Sequence, residues 1–189
     1  LSNAVQQILN MAAYLQDSDG LWYHGYSKEK DSVSGFKWCR ANGWAMVSTV
    51  EVLSAINKEH AKYNELFKVL KKHINGIEPL QASSGLWRQI LDNSNLWEET
   101  SSSAMFVYSI SKAINEGIID REYLEIATKG IKGLNQKITE KGVVLGVCEG
   151  TGIGYDLEFY KNREQPFDDN HGHGPVLLAL SEYHQAKNK

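Results

Sequence analysis

Trp38-Cys39-Arg40-Ala41-Asn42-Gly43-Trp44 is the stretch best equipped for chemistry, where a glycine-spotted loop runs into a helix. Two tryptophans bracket an arginine. If the segment is extended, Trp38, Arg40, Asn42 and Trp44 alternate onto one side before the helix begins. Arginine presents a rigid fork of donors suited to a carboxylate, and indoles offer flat faces to an apolar ring surface. Together they predict a pocket for a ring that carries an acid. The competing reading is a helix start with two core tryptophans and a surface arginine, and these residues alone leave both open.

Other loops carry similar side chains. Trp22, Tyr23, His24 and Tyr26 precede the central stretch. A second loop supplies Trp87, Arg88, Gln89, Asp92, Trp97, Glu98, Glu99 and Thr100 to Ser103. A third supplies Cys148, Glu149, Thr151, Tyr155, Tyr160, Asp168, Asp169, His171 and His173. Aromatic faces beside carboxylates, amides and an arginine suit sugar recognition, in which C–H faces stack on indoles and polar groups meet hydroxyls. Each group also has a structural role open to it. His24 is equally a loop histidine bonded to backbone. Glu99-Thr100-Ser101-Ser102-Ser103 has the composition of a helix cap. His171 and His173 flank a glycine at a spacing that matches no strong metal site, so no metal is expected. Gly150-Thr151-Gly152-Ile153-Gly154 lacks the preceding strand and following lysine of a phosphate loop.

The elements that position these loops are helices. Apolar residues at helical spacing predict helices over 3–16, from about Trp44 to Asn57, over 62–76, from Thr100 onward, over 120–138 with Asp120 as its cap, and over 174–187 with Pro175 in the first turn. Residues 141–172 read as a glycine-rich loop. An internal repeat runs through this order. Asp19-Gly20-Leu21-Trp22 recurs as Ser84-Gly85-Leu86-Trp87 and, more faintly, as Lys141-Gly142-Val143-Val144. Gly20 and Gly85 lie 65 residues apart (85 − 20), and Gly142 follows after 57 more (142 − 85). Each unit is a helix, a Gly-apolar-aromatic loop, a polar loop and a second helix. Stacked hairpins of this kind would gather their long loops on one rim.

Composition narrows the class. The chain has 189 residues, enough for one domain, taken as 1–189, with a sizeable core. A net charge of −3 and the lack of a basic run argue against nucleic-acid binding. No apolar stretch is long enough to span a bilayer, so no membrane partner is expected. Cys39 and Cys148 fit neither zinc nor redox spacing and read as free thiols. Ser2-Asn3-Ala4 resembles an expression scar.

Four motifs occur in order: Gly20-Leu21-Trp22-Tyr23-His24-Gly25-Tyr26, Trp38 to Trp44, Glu99-Thr100-Ser101-Ser102-Ser103-Ala104, and His171-Gly172-His173-Gly174-Pro175-Val176-Leu177-Leu178-Ala179. In these the chain resembles the unsaturated rhamnogalacturonyl hydrolases of glycoside hydrolase family 105, relatives of the unsaturated glucuronyl hydrolases of family 88. The resemblance implies an all-α (α/α)6 toroid with its active site at the loop end. It places His24, Trp38, Arg40 and Trp44 around the unsaturated uronic acid of a pectin-derived oligosaccharide, with Tyr23, Asn42, Glu99, Thr100, His171 and His173 as further candidates. It implies hydration of the ring's double bond, an aspartic acid protonating the alkene and water adding to the resulting cation, with no metal or organic cofactor.

That aspartate lies in a tryptophan-x-aspartate-aspartate motif upstream of the His-Gly loop, and no such motif occurs here. About six helices are expected where a closed toroid needs twelve. The chain thus reads as the C-terminal half of the fold, expected to dimerise, aggregate or pair with a missing N-terminal half. Asp19, Asp92, Glu98 and Asp169 are the carboxylates that could replace the acid. The alternative is a non-catalytic carbohydrate-binding or protein-docking helical module. A cytoplasmic or periplasmic setting in a polysaccharide-degrading bacterium is expected.

Overall fold

The computed structural model describes residues 1–189. Six long helices form three hairpins: α1 (Ser2–Leu15) with α2 (Cys39–Ala55), α3 (Tyr63–Ile77) with α4 (Thr100–Asn115), and α5 (Leu124–Asn135) with α7 (Asn170–Asn188). A short helix, α6 (Leu157–Lys161), lies in the last loop. Two two-residue hairpins stiffen the other loops. In one, β1 (Tyr26–Ser27) pairs antiparallel with β2 (Ser32–Val33); in the other, β3 (Trp87–Arg88) pairs with β4 (Glu98–Glu99).

The second helix of each hairpin lies inside. α4 packs between α2 and α7 and also against α5, while α1 and α3 flank the outside of α2. This arc of three hairpins is the partial α/α toroid that the resemblance implies. Sequence explains the layering. α1 buries Val5, Ile8, Leu9 and Ala12, and α3 buries Leu66, Leu70, Ile74 and Ile77, one stripe each. α4 is buried nearly all round, from Thr100 to Ile114, and its leading residues are small enough to be surrounded. Gly43 of α2 sits where a Cβ would lie 2.6 Å from Met105 Sδ of α4, so glycine sets that helix approach.

The repeat is legible in the backbone. The turn after each outer helix closes in the same way: Asp17 N–H donates to Leu21 C=O, Ala82 to Leu86 and Thr139 to Val143. Gly20, Gly85 and Gly142 occupy the left-handed region at φ 93°, 94° and 81°. The faint third unit is therefore a true member of the series.

Several expected boundaries shift. α2 begins at Cys39, so residues 38–44 are not an extended segment and Arg40, Asn42 and Trp44 do not alternate. The residues from Cys39 onward satisfy their backbone within the helix and against loop two, where Cys39 N–H donates to Gln89 C=O. α5 is shorter than 120–138, and the Asp120 carboxylate makes no capping bond because a 3-10 turn over Arg121–Tyr123 intervenes. α7 starts at Asn170, capped by Asp169, so Pro175 sits inside the helix and not in its first turn. Residues 141–172 contain α6 and are not loop throughout. Ser2-Asn3-Ala4 forms the first turn of α1.

Candidate functional site

The decorated loops interlock on one rim. Loop one meets loop two where Leu91 N–H donates to Lys37 C=O, and loop two meets loop three where Gln89 Nε2 donates to Tyr160 C=O at 2.6 Å. Lys37 is buried and holds loop one together, its Nζ pairing with Asp17 at 2.9 Å, with Asp19, and with Asp92 at 3.9 Å. Those bonds hold the Asp17 carboxyl well below the usual carboxylate range, with lesser help from the Ser18 N–H.

Arg40 and Glu99 form the centre of the rim. Arg40 is buried; Nη1 donates to Cys148 C=O at 2.6 Å and to Ser101 Oγ at 3.2 Å, and Nη2 to Glu149 C=O at 2.7 Å. Its guanidinium carbon stands 4.8 Å from the Trp38 ring centre. Glu99 is the N-cap of α4, accepting from Ser102 N–H at 2.6 Å, and it also accepts from Cys148 N–H at 2.9 Å and Ser101 Oγ at 2.8 Å. The cap role open to it in sequence is thus observed, and a second role, pairing with Arg40, comes with it. Thr100 donates to Leu145 C=O at 2.7 Å and is a buried tie between loops.

Asn42 points away from this centre. It clamps Trp22, accepting from its N–H at 2.7 Å and donating to its C=O at 2.8 Å, and Asn42 Oδ1 lies 3.1 Å from buried His73 Nε2. One helical turn therefore sends Arg40 and Asn42 to different sides, as a period of 3.6 requires.

A cavity of about 320 Å³ opens between α1 and α2. Trp22, Tyr23, His24, Trp38 and Trp44 line it, with Met11 and Leu15 from α1. The His24 ring lies 4.5 Å from that of Trp38, centre to centre and tilted by 42°, and its Nδ1 lies 2.7 Å from the Tyr160 hydroxyl, not against backbone. Burial, with the Arg40 charge second, lowers its pKa to about 4, so the ring is neutral near pH 7. The indole N–H groups of Trp22 and Trp38 are buried without a protein acceptor. Trp44 is 55% exposed and offers a free indole face. A larger cleft of about 540 Å³ lies between residues 78–85, which follow α3, and residues 122–136 along α5, lined mostly by Glu, Lys, Gln and Ser side chains. With no aromatic surface it lacks a face for a sugar ring, and the smaller cavity is the candidate site.

His171 and His173 stand outside that cavity at the start of α7. Asp169 Oδ1 lies 2.6 Å from His171 Nδ1, and Asp168 Oδ1 3.3 Å from His173 Nε2. His171 sits against Gly150, beside the Glu149 carbonyl that Arg40 holds. Sequence reasoning missed Tyr160 as the anchor of His24 and Lys37 as the loop hub. Tyr160 lies 136 residues from His24, and no local signal links them. Ile8 and Leu15 of the α1 apolar face and exposed Met11 also wall the cavity.

The profile of Glycosyl Hydrolase Family 88 matches residues 1–187. The 24.9 kDa protein in the picA locus of Rhizobium radiobacter is 29% identical over 210 residues, covering 96% of this chain and 90% of its own length. The unsaturated rhamnogalacturonyl hydrolase YesR of Bacillus subtilis (strain 168) is 29% identical over 177 residues, covering 93% of this chain but 50% of its own. Among solved structures, a possible member of glycoside hydrolase family 105 from Klebsiella pneumoniae superposes with a TM-score of 0.93 at 31% identity, over 100% of this chain and 50% of that one. The chain thus spans nearly all of one relative and about half the length of others.

Proposed function

The chain belongs to Glycosyl Hydrolase Family 88, and on that footing we propose that its cavity holds the unsaturated uronic acid ring of a pectin-derived oligosaccharide. One observation carries the reading: Trp22, Tyr23, His24, Trp38 and Trp44 wall one cavity, and the Trp44 indole is 55% exposed, a free face for a sugar ring. The YesR relative is named for unsaturated rhamnogalacturonyl hydrolysis, which supports the substrate class.

In this reading Trp44 stacks on the ring and Trp38 adds to the apolar wall. Neutral His24, oriented by the Tyr160 hydroxyl, contributes a polar contact. Arg40 supplies positive charge from beneath Trp38, with Nη1 and Nη2 already shared among the loop carbonyls and Ser101. The reaction is hydration of the ring double bond: a carboxylic acid protonates the alkene carbon, water adds to the oxocarbenium carbon, and the resulting hemiketal opens to release the neighbouring sugar.

The acid is the step this chain does not furnish. No carboxylate lines the cavity. Asp19 and Asp92 face Lys37, and Glu98 lies 4.0 Å from Arg88. Asp169 caps α7, and its pKa is lowered by the bonds from His171 N–H and Nδ1, against the trend burial alone would set, the opposite of what a proton donor needs. We therefore assign this chain sugar binding without efficient turnover on its own, and the family reaction to an assembly that brings an acid to the cavity. Calorimetry with unsaturated galacturonyl-rhamnose tests it, alongside the ultraviolet absorbance of the conjugated double bond. Saturable binding with steady absorbance is expected. Rapid loss of absorbance would place the acid in this chain, and no heat of binding would leave a protein-docking module.

A further inference from the structure

Tyr160 is the point at which the three rim loops converge. It stands in α6, buried, and Gln89 of loop two donates to its C=O at 2.6 Å. Phe36 of loop one packs on its ring at 5.3 Å, centre to centre. Its hydroxyl meets His24 Nδ1 at 2.7 Å and the backbone of Gly154, whose N–H lies at 3.0 Å and whose C=O lies at 3.3 Å.

Those partners fix where the protons lie. A phenol has one proton to give, and a backbone N–H can only donate. The Gly154 N–H therefore uses the phenol as an acceptor, and the single Tyr160 proton has two acceptors before it. His24 Nδ1 is nearer than the Gly154 carbonyl by 0.6 Å (3.3 − 2.7). A separation of 2.7 Å is also the ordinary length for a hydroxyl donor and short for a ring N–H. The Tyr160 proton thus goes to Nδ1, and that nitrogen is bare. A neutral imidazole carries one N–H, so the His24 hydrogen sits on Nε2. Burial, with the Arg40 charge second, keeps the ring neutral. The ring lines the cavity, and Nε2 makes no hydrogen bond within the protein.

We propose that Tyr160 is a positioning residue: it locks His24 as the Nε2–H tautomer, so the cavity meets an N–H donor for a carboxylate or hydroxyl oxygen, and not a base. With its one available lone pair taken by the tyrosine, His24 cannot collect a proton from water or from a sugar. The oxygen it meets rests on the sugar-binding reading above; the proton arrangement belongs to the unliganded protein and is measured there.

Long-range proton–nitrogen correlation spectra of the unliganded protein near neutral pH read the tautomer. The chain has six histidines, and the His24 signals are those lost in His24→Gln. In wild type Nε2 should resonate as a protonated nitrogen and Nδ1 as a bare one. Tyr160→Phe keeps the ring and removes the hydroxyl. His24 should then show both tautomers in exchange and titrate at a higher pH, since a donor that favoured the neutral ring is gone. Phe36→Leu loosens the packing on Tyr160 but spares the hydroxyl, so the wild-type tautomer should persist. By calorimetry, the affinity of Tyr160→Phe for unsaturated galacturonyl-rhamnose should fall about two- to tenfold, the worth of one neutral hydrogen bond. Wild-type His24 protonated on Nδ1 would overturn the proposal, and that spectrum decides whether or not the variant folds. A folded Tyr160→Phe whose tautomer and titration match wild type would overturn it too. The expected spectra with no heat of sugar binding would uphold Tyr160 as the positioning residue and sink the sugar-binding reading instead.

Discussion

Arg40 Nη1 lies 3.5 Å from Glu99 Oε1, and both side chains are almost wholly shielded from water, at 3% and 0% exposure. The pair joins α2 to the start of α4, and each partner also holds loop three, Arg40 through the Cys148 and Glu149 carbonyls and Glu99 through the Cys148 N–H. A buried ion pair adds little over an apolar pair of the same shape, but losing one member strands the other.

Arg40→Ala is therefore expected to cost about 3–5 kcal/mol of stability in urea denaturation, because it leaves the Glu99 carboxylate buried without its counter-charge. Arg40→Lys should recover only part of this, since one ammonium cannot span both loop carbonyls. A loss under about 1 kcal/mol would mean that the guanidinium is not bracing the rim.

Trp44→Ala separates binding from folding. Trp44 is largely exposed, so its thermal midpoint should stay near wild type while affinity for unsaturated galacturonyl-rhamnose falls about tenfold, or roughly 1.4 kcal/mol. Unchanged affinity by calorimetry would remove Trp44 from the site.

Acid should destabilise the fold through His73. The ring is buried and burial lowers its pKa to about 3, whereas the unfolded chain titrates near 6.5. Between those values the unfolded state binds more protons, so stability rises with pH through that window and is fully present above about 6.5. One histidine gives a slope approaching 1.4 kcal/mol per pH unit. Denaturation series at successive pH values on wild type and His73→Gln should show a shallower slope in the variant; parallel slopes would exclude His73 as the source.

Gly85→Ala should destabilise far more than Gly35→Ala. Both glycines have positive φ, so each substitution costs about 1–2 kcal/mol for the backbone. Only at Gly85 does the new methyl also overlap the Lys129 carbonyl, while Gly35 has nothing within 4 Å. Equal melting shifts would show that the junction with α5 is not close.

Cys39 and Cys148 are both buried and free, and burial raises both thiol pKa values. Aromatic disulfide reagents should label neither in the native protein and both in denaturant. Fast labelling of the folded chain would indicate that the rim opens.

The sequence by itself determined what is local. Apolar spacing placed the helices, the Gly-apolar-aromatic repeat paired them into hairpins, and Glu99 followed by hydroxyl residues marked the cap of α4, because backbone bonding and turn conformation depend on near neighbours. The motif residues His24, Trp38 and Trp44 were likewise visible, and they do share a cavity. What Arg40 touches was decided only by the tertiary structure. Its acceptors lie 61, 108 and 109 residues away, and α2 begins at Cys39, so the expected alternation gives way to a helical turn that sends Asn42 to Trp22 and Arg40 to loop three. The difference is physical: a helix or a cap is fixed by bonds within a few residues, whereas a buried charge settles wherever the packed chain places its counter-charge.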